Sequence, residues 1–396
     1  MALMTARTLK GKTLLIPELF SIHTDLIAAA LRSAGYRTQV LRRPSGHATA
    51  VGRLNWPAHC VLDQQLGAFT ARGCDPDRSA LLLIRTGDLG PGYVPALRHA
   101  LAAHGLDRVP LVRLSTVRSG EIPALAIGPA LCLRLLSALA YGDLLLLLSE
   151  QVRPYEQHEG ETDTLLHWWS SHLCHVLAGP AAGPIQLHQD LRHMVQTFAA
   201  IPTVRRAPAK IGLVGAGYVK YSAYASGDLD RLLRSLGCET MRPGVLGLLH
   251  DRLTTPDDAQ GTPQWWARLV TAFLTGYERS VASALARWPQ FRRPAPFHKL
   301  RQRGAELLGA EHDAWQAAEI AALIDGGCTH VLCVRPLPDA LAMRVRTLWP
   351  AVRFTTLTYA PGLPRGEQAA RLRSQLMTAL GQAPTDEDEP PLRKDS

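Results

Sequence analysis

Cys60, Asp88 and Asp339 are the residues whose types and placement most readily suggest chemistry. Cys60 lies in "NWPAHCVLDQQLG", where a Pro-containing turn leads into a helical pattern. A thiolate at a helix N-terminus is stabilised by the local positive potential. Taken by itself, a buried, inert thiol is the better reading. Asp88 in "RTGDLGPGY" and Asp339 in "RPLPDAL" each follow an apolar run, "ALLLI" and "HVLCV", that reads as a strand. Loops past the carboxyl ends of strands are where open α/β folds collect their ligands. If three such loops converge across a cleft, these two acids and Cys60 are its chemistry, and the carboxylates could hold a divalent metal through oxygen.

Other patterns are weaker. In "KIGLVGAGYVKYSAYASGDL" a β-branched run enters the turn Gly215-Ala216-Gly217, as a βα unit does. A pyrophosphate site also needs a third glycine, and Lys220 stands there; Glu239 lies at about the distance expected of a ribose-binding acid. A plain strand-turn-helix is the better reading. In "HWWSSHLCHV", His172 and His175 share a helix face, but His167 falls about 140° from His172 by the helical period, so a polar face is expected in place of a metal site. The chain has no GxSxG elbow and no GxxxxGK[ST] loop.

The elements that must position these residues alternate. "KTLLIPEL" reads as a strand, "HTDLIAAALRSAG" as an amphipathic helix and "YRTQVLRRP" as a second strand. "SALLLIRTG", "VPALRHALAAHG" and "VPLVRLS" continue as strand, helix and strand. After a helical region rich in Leu, Trp and His, the same grammar restarts at "KIGLVG" and runs to the helix "GEQAARLRSQLMTALG". The expected architecture is α/β, with two open Rossmann-like domains built on parallel-type sheets with helical inserts. The divisions are 1–123 for the first α/β domain and 124–205 for a helical insert and connector. The second α/β domain takes 206–382, with its own insert near 250–310, and 383–396 forms a polar disordered tail.

Bulk properties exclude several classes. Hydrophobic residues make up 46% and charged residues 19% of 396, a globular composition with room for two cores. The net charge of +9 comes from arginine spread along the chain without a clustered tract, so nucleic acid is not an expected partner. The leucine-rich "LCLRLLSALAYGDLLLLLSEQV" is interrupted by Arg134 and Asp143 and reads as a buried helix pair, with no membrane partner implied. Seven cysteines form no CxxC pair or zinc spacing, and the N-terminus lacks a long apolar region with a cleavage site. Reduced thiols and a cytoplasmic location are expected.

In their order and wording the segments resemble the 2-hydroxyacyl-CoA dehydratase component family, which includes the dehydratase-like portion of CoA-substrate-specific enzyme activases. The likeness spans nearly the whole chain. It is carried by "IPELFSIHTDLIAAALRSAGY", "HCVLDQQLGAF", "RTGDLGPGYVPALRHAL", "RPYEQHEGETD", "IGLVGAGYVKYSAYASGDLDRLLRSLGCE", "VRPLPDAL" and "LTYAPG". The opening segment and Arg153-Pro154-Tyr155-Glu156 are its strongest pieces, and the Gly215–Gly217 turn matches the family's GEIYVR segment, with no nicotinamide implied.

The resemblance implies a site in which three cysteine thiolates hold a 4Fe-4S cluster that delivers an electron to an acyl-CoA. The cysteine of the family's CLPF segment falls on Cys60. That of GPCRFG falls on Asp88, or on Thr86 or Leu89 if the gap is placed differently, and that of PF.CMPG falls on Asp339. The glutamate of GEIYVR becomes Ala216 and the aspartate of YDG becomes Ala360. Carboxylates are harder ligands than thiolates. The resemblance therefore implies a protein that has lost its cluster, with no cofactor, acting as a non-catalytic partner or scaffold beside a homologous cluster-bearing subunit or as a homodimer. An active iron-sulfur subunit using Cys60 and unusual ligands, with a 4Fe-4S cofactor and an acyl-CoA substrate, stays open, as does a carboxylate-based metal or small-ligand site in the interdomain cleft. No actin-like ATPase loops are present, so ATP hydrolysis is not implied.

Overall fold

The computed structural model describes residues 5, 7–9, 11–42, 54–84, 88–114, 122–179, 183–254, 264–309, 313–359 and 365–381. The tail 383–396, Thr86 and Ala360 lie outside them. The chain opens with β1 (Thr13–Pro17), α1 (Ser21–Ser33), β2 (Arg37–Leu41), α2 (Trp56–Thr70), β3 (Ser79–Ile84), α3 (Tyr93–Ala103) and β4 (Leu111–Leu114). These strands form a four-stranded, all-parallel sheet in the order β2-β1-β3-β4. Apolar residues fill both faces. Leu14, Ile16, Leu82 and Val112 pack toward α1, while Leu15, Leu81 and Leu83 pack into a second core with residues of α2 and α3. Burial on two sides explains why the strands read as unbroken apolar runs.

Three helices follow, α4 (Pro129–Val152), α5 (Glu161–Ala178) and α6 (Pro184–Ala199). The leucine-rich stretch, expected as a helix pair, is the single helix α4. Its glycine, Gly142, is a place of close approach: a Cβ there would lie 2.3 Å from the His23 ring of α1. By length and composition alone the segment 129–155 could cross a bilayer, and 67% of its most apolar window is buried in the fold, against α1, α5, α6, α9 and α10. Its polar residues are accommodated: Arg134 donates to the carbonyls of Leu177 and Gly179, at 2.8 and 2.6 Å, and Asp143 accepts from His23 at 2.8 Å.

The second sheet repeats the topology of the first. It comprises β5 (Lys210–Val214), α7 (Gly217–Tyr221), α8 (Leu229–Ser235), β6 (Glu239–Met241), α9 (Val245–Thr254), α10 (Gln264–Leu285), α11 (Phe297–Leu308), α12 (Ala314–Asp325), β7 (His330–Cys333), α13 (Asp339–Leu348), β8 (Arg353–Thr356) and α14 (Arg365–Leu380). Its strand order is β6-β5-β7-β8, again all parallel. "ETMRPG" forms the edge strand β6 and the corner that follows it. The fold is thus α/β with two open parallel sheets and interspersed helices.

The two carboxyl edges pack on each other. Leu19, Phe20, Cys60 and Tyr93 from the first unit share one core with Ala216, Tyr218, Tyr221 and Leu332 from the second. Fully burying a Leu or Phe side chain contributes about 1.5–3 kcal/mol, so this shared core joins the two sheets strongly.

Candidate functional site

The cleft between the sheets holds two of the three residues singled out in the sequence, and it is filled with side chains. Asn55 begins α2, its side chain accepting the Ala58 N–H at 2.9 Å, with Pro57 in the first turn. Cys60 therefore sits a full turn inside the helix, where the sequence placed it at the helix start, and at 1% exposed it is the buried thiol of the plainer reading. It lies close enough to Tyr218 and Tyr359 to add to the rise that burial gives both phenols. Asp88 crosses between the units: its Oδ2 accepts the Tyr218 N–H at 3.0 Å, and Asn55 Nδ2 donates to its carbonyl at 2.7 Å. A Cβ on Gly217 would lie 3.2 Å from that same oxygen. The glycine turn is thus shaped to admit a carboxylate from the other unit, and the amide a phosphate would use is already taken. Trp56 Nε1 donates to the Ala225 carbonyl at 2.7 Å, and Tyr224 donates to Asp63.

Asp339 stands apart from this packing as the exposed first residue of α13. All seven cysteines are thiols. Five are buried in three separate cores, Cys60 and Cys238 in one, Cys132 in a second, Cys328 and Cys333 in a third, while half-buried Cys74 and Cys174 pack against the first and second. Among the described residues no group of three or more His, Cys, Asp or Glu is placed to hold a metal. A cubane held by three thiolates does not fit the donors at positions 60, 88 and 339. In α5, His172 stacks on Trp168 at 5.3 Å and His175 bonds the Ser171 carbonyl at 2.8 Å, as a polar helix face does.

The RPYE segment proves to be framework. Glu156 accepts the N–H groups of Gly160 and Thr162, at 2.9 and 2.8 Å, and so caps α5. Arg153 bonds Asp163 at 2.6 Å, and Tyr155 donates to Glu239 at the start of β6 at 2.7 Å.

The open space lies elsewhere, beyond the carboxyl end of β6, between α4, α12 and the insert α10–α11. It is a cavity of ≈ 600 Å³, within the range of small-molecule sites. Its floor is charged. Arg242, 8% exposed, donates to Glu150, to Asp230 and, at 2.7 Å, to the Lys220 carbonyl. Glu319 accepts from Trp315 Nε1 at 3.0 Å and faces Lys220 Nζ at 3.7 Å. Asp143 accepts the Val245 and Leu246 N–H groups at the head of α9, at 2.7 and 2.9 Å. Burial pushes the Glu150 carboxyl up to about 7, against the opposing pull of Arg242; its Oε2 has no partner among the described residues.

The walls are apolar. Trp315 and Phe297 line the cavity with their rings 6.4 Å apart, and His250 packs on both, tilted on Trp315 at 5.1 Å and stacked on Phe297 at 5.3 Å. Burial, then Arg301, holds the His250 pKa below its ordinary value. Arg293, Lys299 and Arg303 stand exposed at the mouth.

The sequence pointed toward the cleft and missed this cavity. Its one local signal was Lys220, a cation inside the apolar wording "GYVKYSAY" at the place of a third glycine. Arg242, Glu319 and Asp143 lie far apart in the chain and meet only in the fold. No family model, curated protein or solved structure matches the chain.

Proposed function

We propose that this chain is a cluster-free protein on the framework of the 2-hydroxyacyl-CoA dehydratase components, acting as a non-catalytic partner or scaffold subunit. One observation carries the reading: the residues at the three ligand positions are employed in folding or lie outside the cleft. Cys60 is core in α2, Asp88 anchors the α7 turn, and Asp339 opens α13 at the surface. The framework segments that support the likeness have structural work of their own. Glu156 caps a helix and Tyr155 ties it to β6, so they can persist without an active centre.

The test is iron and acid-labile sulfide per chain on protein purified without oxygen, alone and co-expressed with a cluster-bearing homologue. The expected result is no iron on the isolated chain and iron in a stable complex with the homologue. About four irons on the isolated chain, lost in Cys60→Ala, would overturn it.

A further inference from the structure

Tyr277, in α10, is the one buried polar side chain on the cavity wall that makes no hydrogen bond among the described residues. It is 7% exposed, and its hydroxyl keeps access to the open space, whereas Lys220 Nζ is sealed off from it. Burial, then the charges of Asp143 and Glu278, raises the phenol well above its ordinary pKa. The group therefore keeps its proton and is a donor, and Asp143, which lines the same wall, places it at the inner end. A hydroxyl buried without an acceptor is unfavourable, and a neutral oxygen on a bound molecule would satisfy it.

The ionic groups on the inner wall have partners within the fold. Arg242 donates to Glu150, to Asp230 and to the Lys220 carbonyl, so Asp230 balances it whether or not Glu150 holds a proton. Asp143 accepts from His23, Val245 and Leu246. Glu319 accepts from Trp315 and faces Lys220, and Arg292 donates to Glu239 at 3.2 Å. At the mouth Arg293, Lys299 and Arg303 stand exposed with Glu306 and Asp325, both signs together in water. Charges so exposed are screened and contribute little. An ion entering the cavity would lose its hydration without meeting an unpaired buried counter-charge, which is costly. Much of the remaining lining is apolar, from Leu146, Phe297, Leu300, Trp315, Ala322 and Leu323.

We propose that this cavity binds a small, neutral, mainly apolar molecule whose carbonyl or hydroxyl oxygen accepts from Tyr277, its body lying against Trp315 and Phe297. The site is separate from the cleft that holds Cys60 and Asp88, and it stands whether or not the chain is cluster-free.

The test is equilibrium dialysis of the whole chain against three probes: 2-acetylnaphthalene, 2-ethylnaphthalene, which lacks only the ketone oxygen, and 2-naphthoate, which carries a carboxylate in place of the acetyl group. The expected result is saturable binding of the ketone, about tenfold or more tighter than the naphthoate. Tyr277→Phe deletes one oxygen and keeps the ring. It should weaken the ketone by about three- to tenfold, the worth of one hydrogen bond, and change ethylnaphthalene by less than about twofold. Ala322→Trp, which fills the cavity from α12, should abolish ketone binding. No binding of the ketone, or naphthoate binding as tight, overturns the proposal in the unaltered protein alone. A ketone affinity unchanged by Tyr277→Phe, an equal loss for ketone and hydrocarbon, or binding that survives Ala322→Trp overturns it as well.

Discussion

Glu150 shows how a single buried carboxyl can set a pH dependence. It shares Arg242 with Asp230, and its second oxygen is buried without a partner among the described residues. Desolvation raises its pKa from 4.5 to about 7, so between those values the folded chain holds a proton that the unfolded chain has released. Stability from this group is complete below the unfolded value and is lost as pH rises through the folded one, by on the order of 3 kcal/mol at about 1.4 kcal/mol per pH unit. Urea midpoints measured from pH 5 to 8 should fall in the unaltered protein and stay level in Glu150→Gln. Matching slopes in the two proteins would show that Glu150 stays ionised beside Arg242. Nothing in the wording around Glu150 announces this, because its neighbour Arg242 comes from a distant segment.

At the scale of elements, the cap of α5 depends on one side chain. Glu156 receives two backbone N–H groups that the start of the helix would otherwise leave unpaired. Glu156→Ala should cost about 1–2 kcal/mol, read from chemical denaturation, with faster amide exchange at Gly160 and Thr162. Unchanged exchange at those amides would show that another group holds the turn. Element types were legible here: the helical pattern after residue 124 appears as α4, α5 and α6. The misreading of α4 as two helices has a specific cause. Arg134 and Asp143 interrupt the leucine run, yet both find partners around one continuous helix: Arg134 on the Leu177 and Gly179 carbonyls, and Asp143 on His23, whose ring approaches over Gly142. A local pattern cannot distinguish a charge that ends a helix from one that meets a distant partner.

For the whole molecule, the joint between the sheets governs behaviour. Phe20 and Tyr221 meet edge to face at 5.8 Å, and the Trp56–Ala225 and Asp88–Tyr218 hydrogen bonds cross the same boundary. Because one hydrophobic core spans both units, unfolding followed by far-UV and near-UV circular dichroism should give coincident single transitions. Two separated transitions would mean that each sheet is stable without the other.

What the sequence determined by itself was the α/β class, its two parallel sheets and most of the helices. Burial on both faces of a strand and on one face of a helix writes apolar periodicity into neighbouring residues, where it can be read directly. Only the tertiary structure decided which charges meet. Lys220 beside Glu319, Glu150 against Arg242, and Asp88 on the Tyr218 amide are contacts between distant segments. Cys60 likewise could be read as a thiol at a helix start or as a buried one, and the structure makes it core because Asn55 begins the helix a turn earlier. A side chain's chemistry depends on what surrounds it, and those surroundings are assembled from parts of the chain that no local pattern connects.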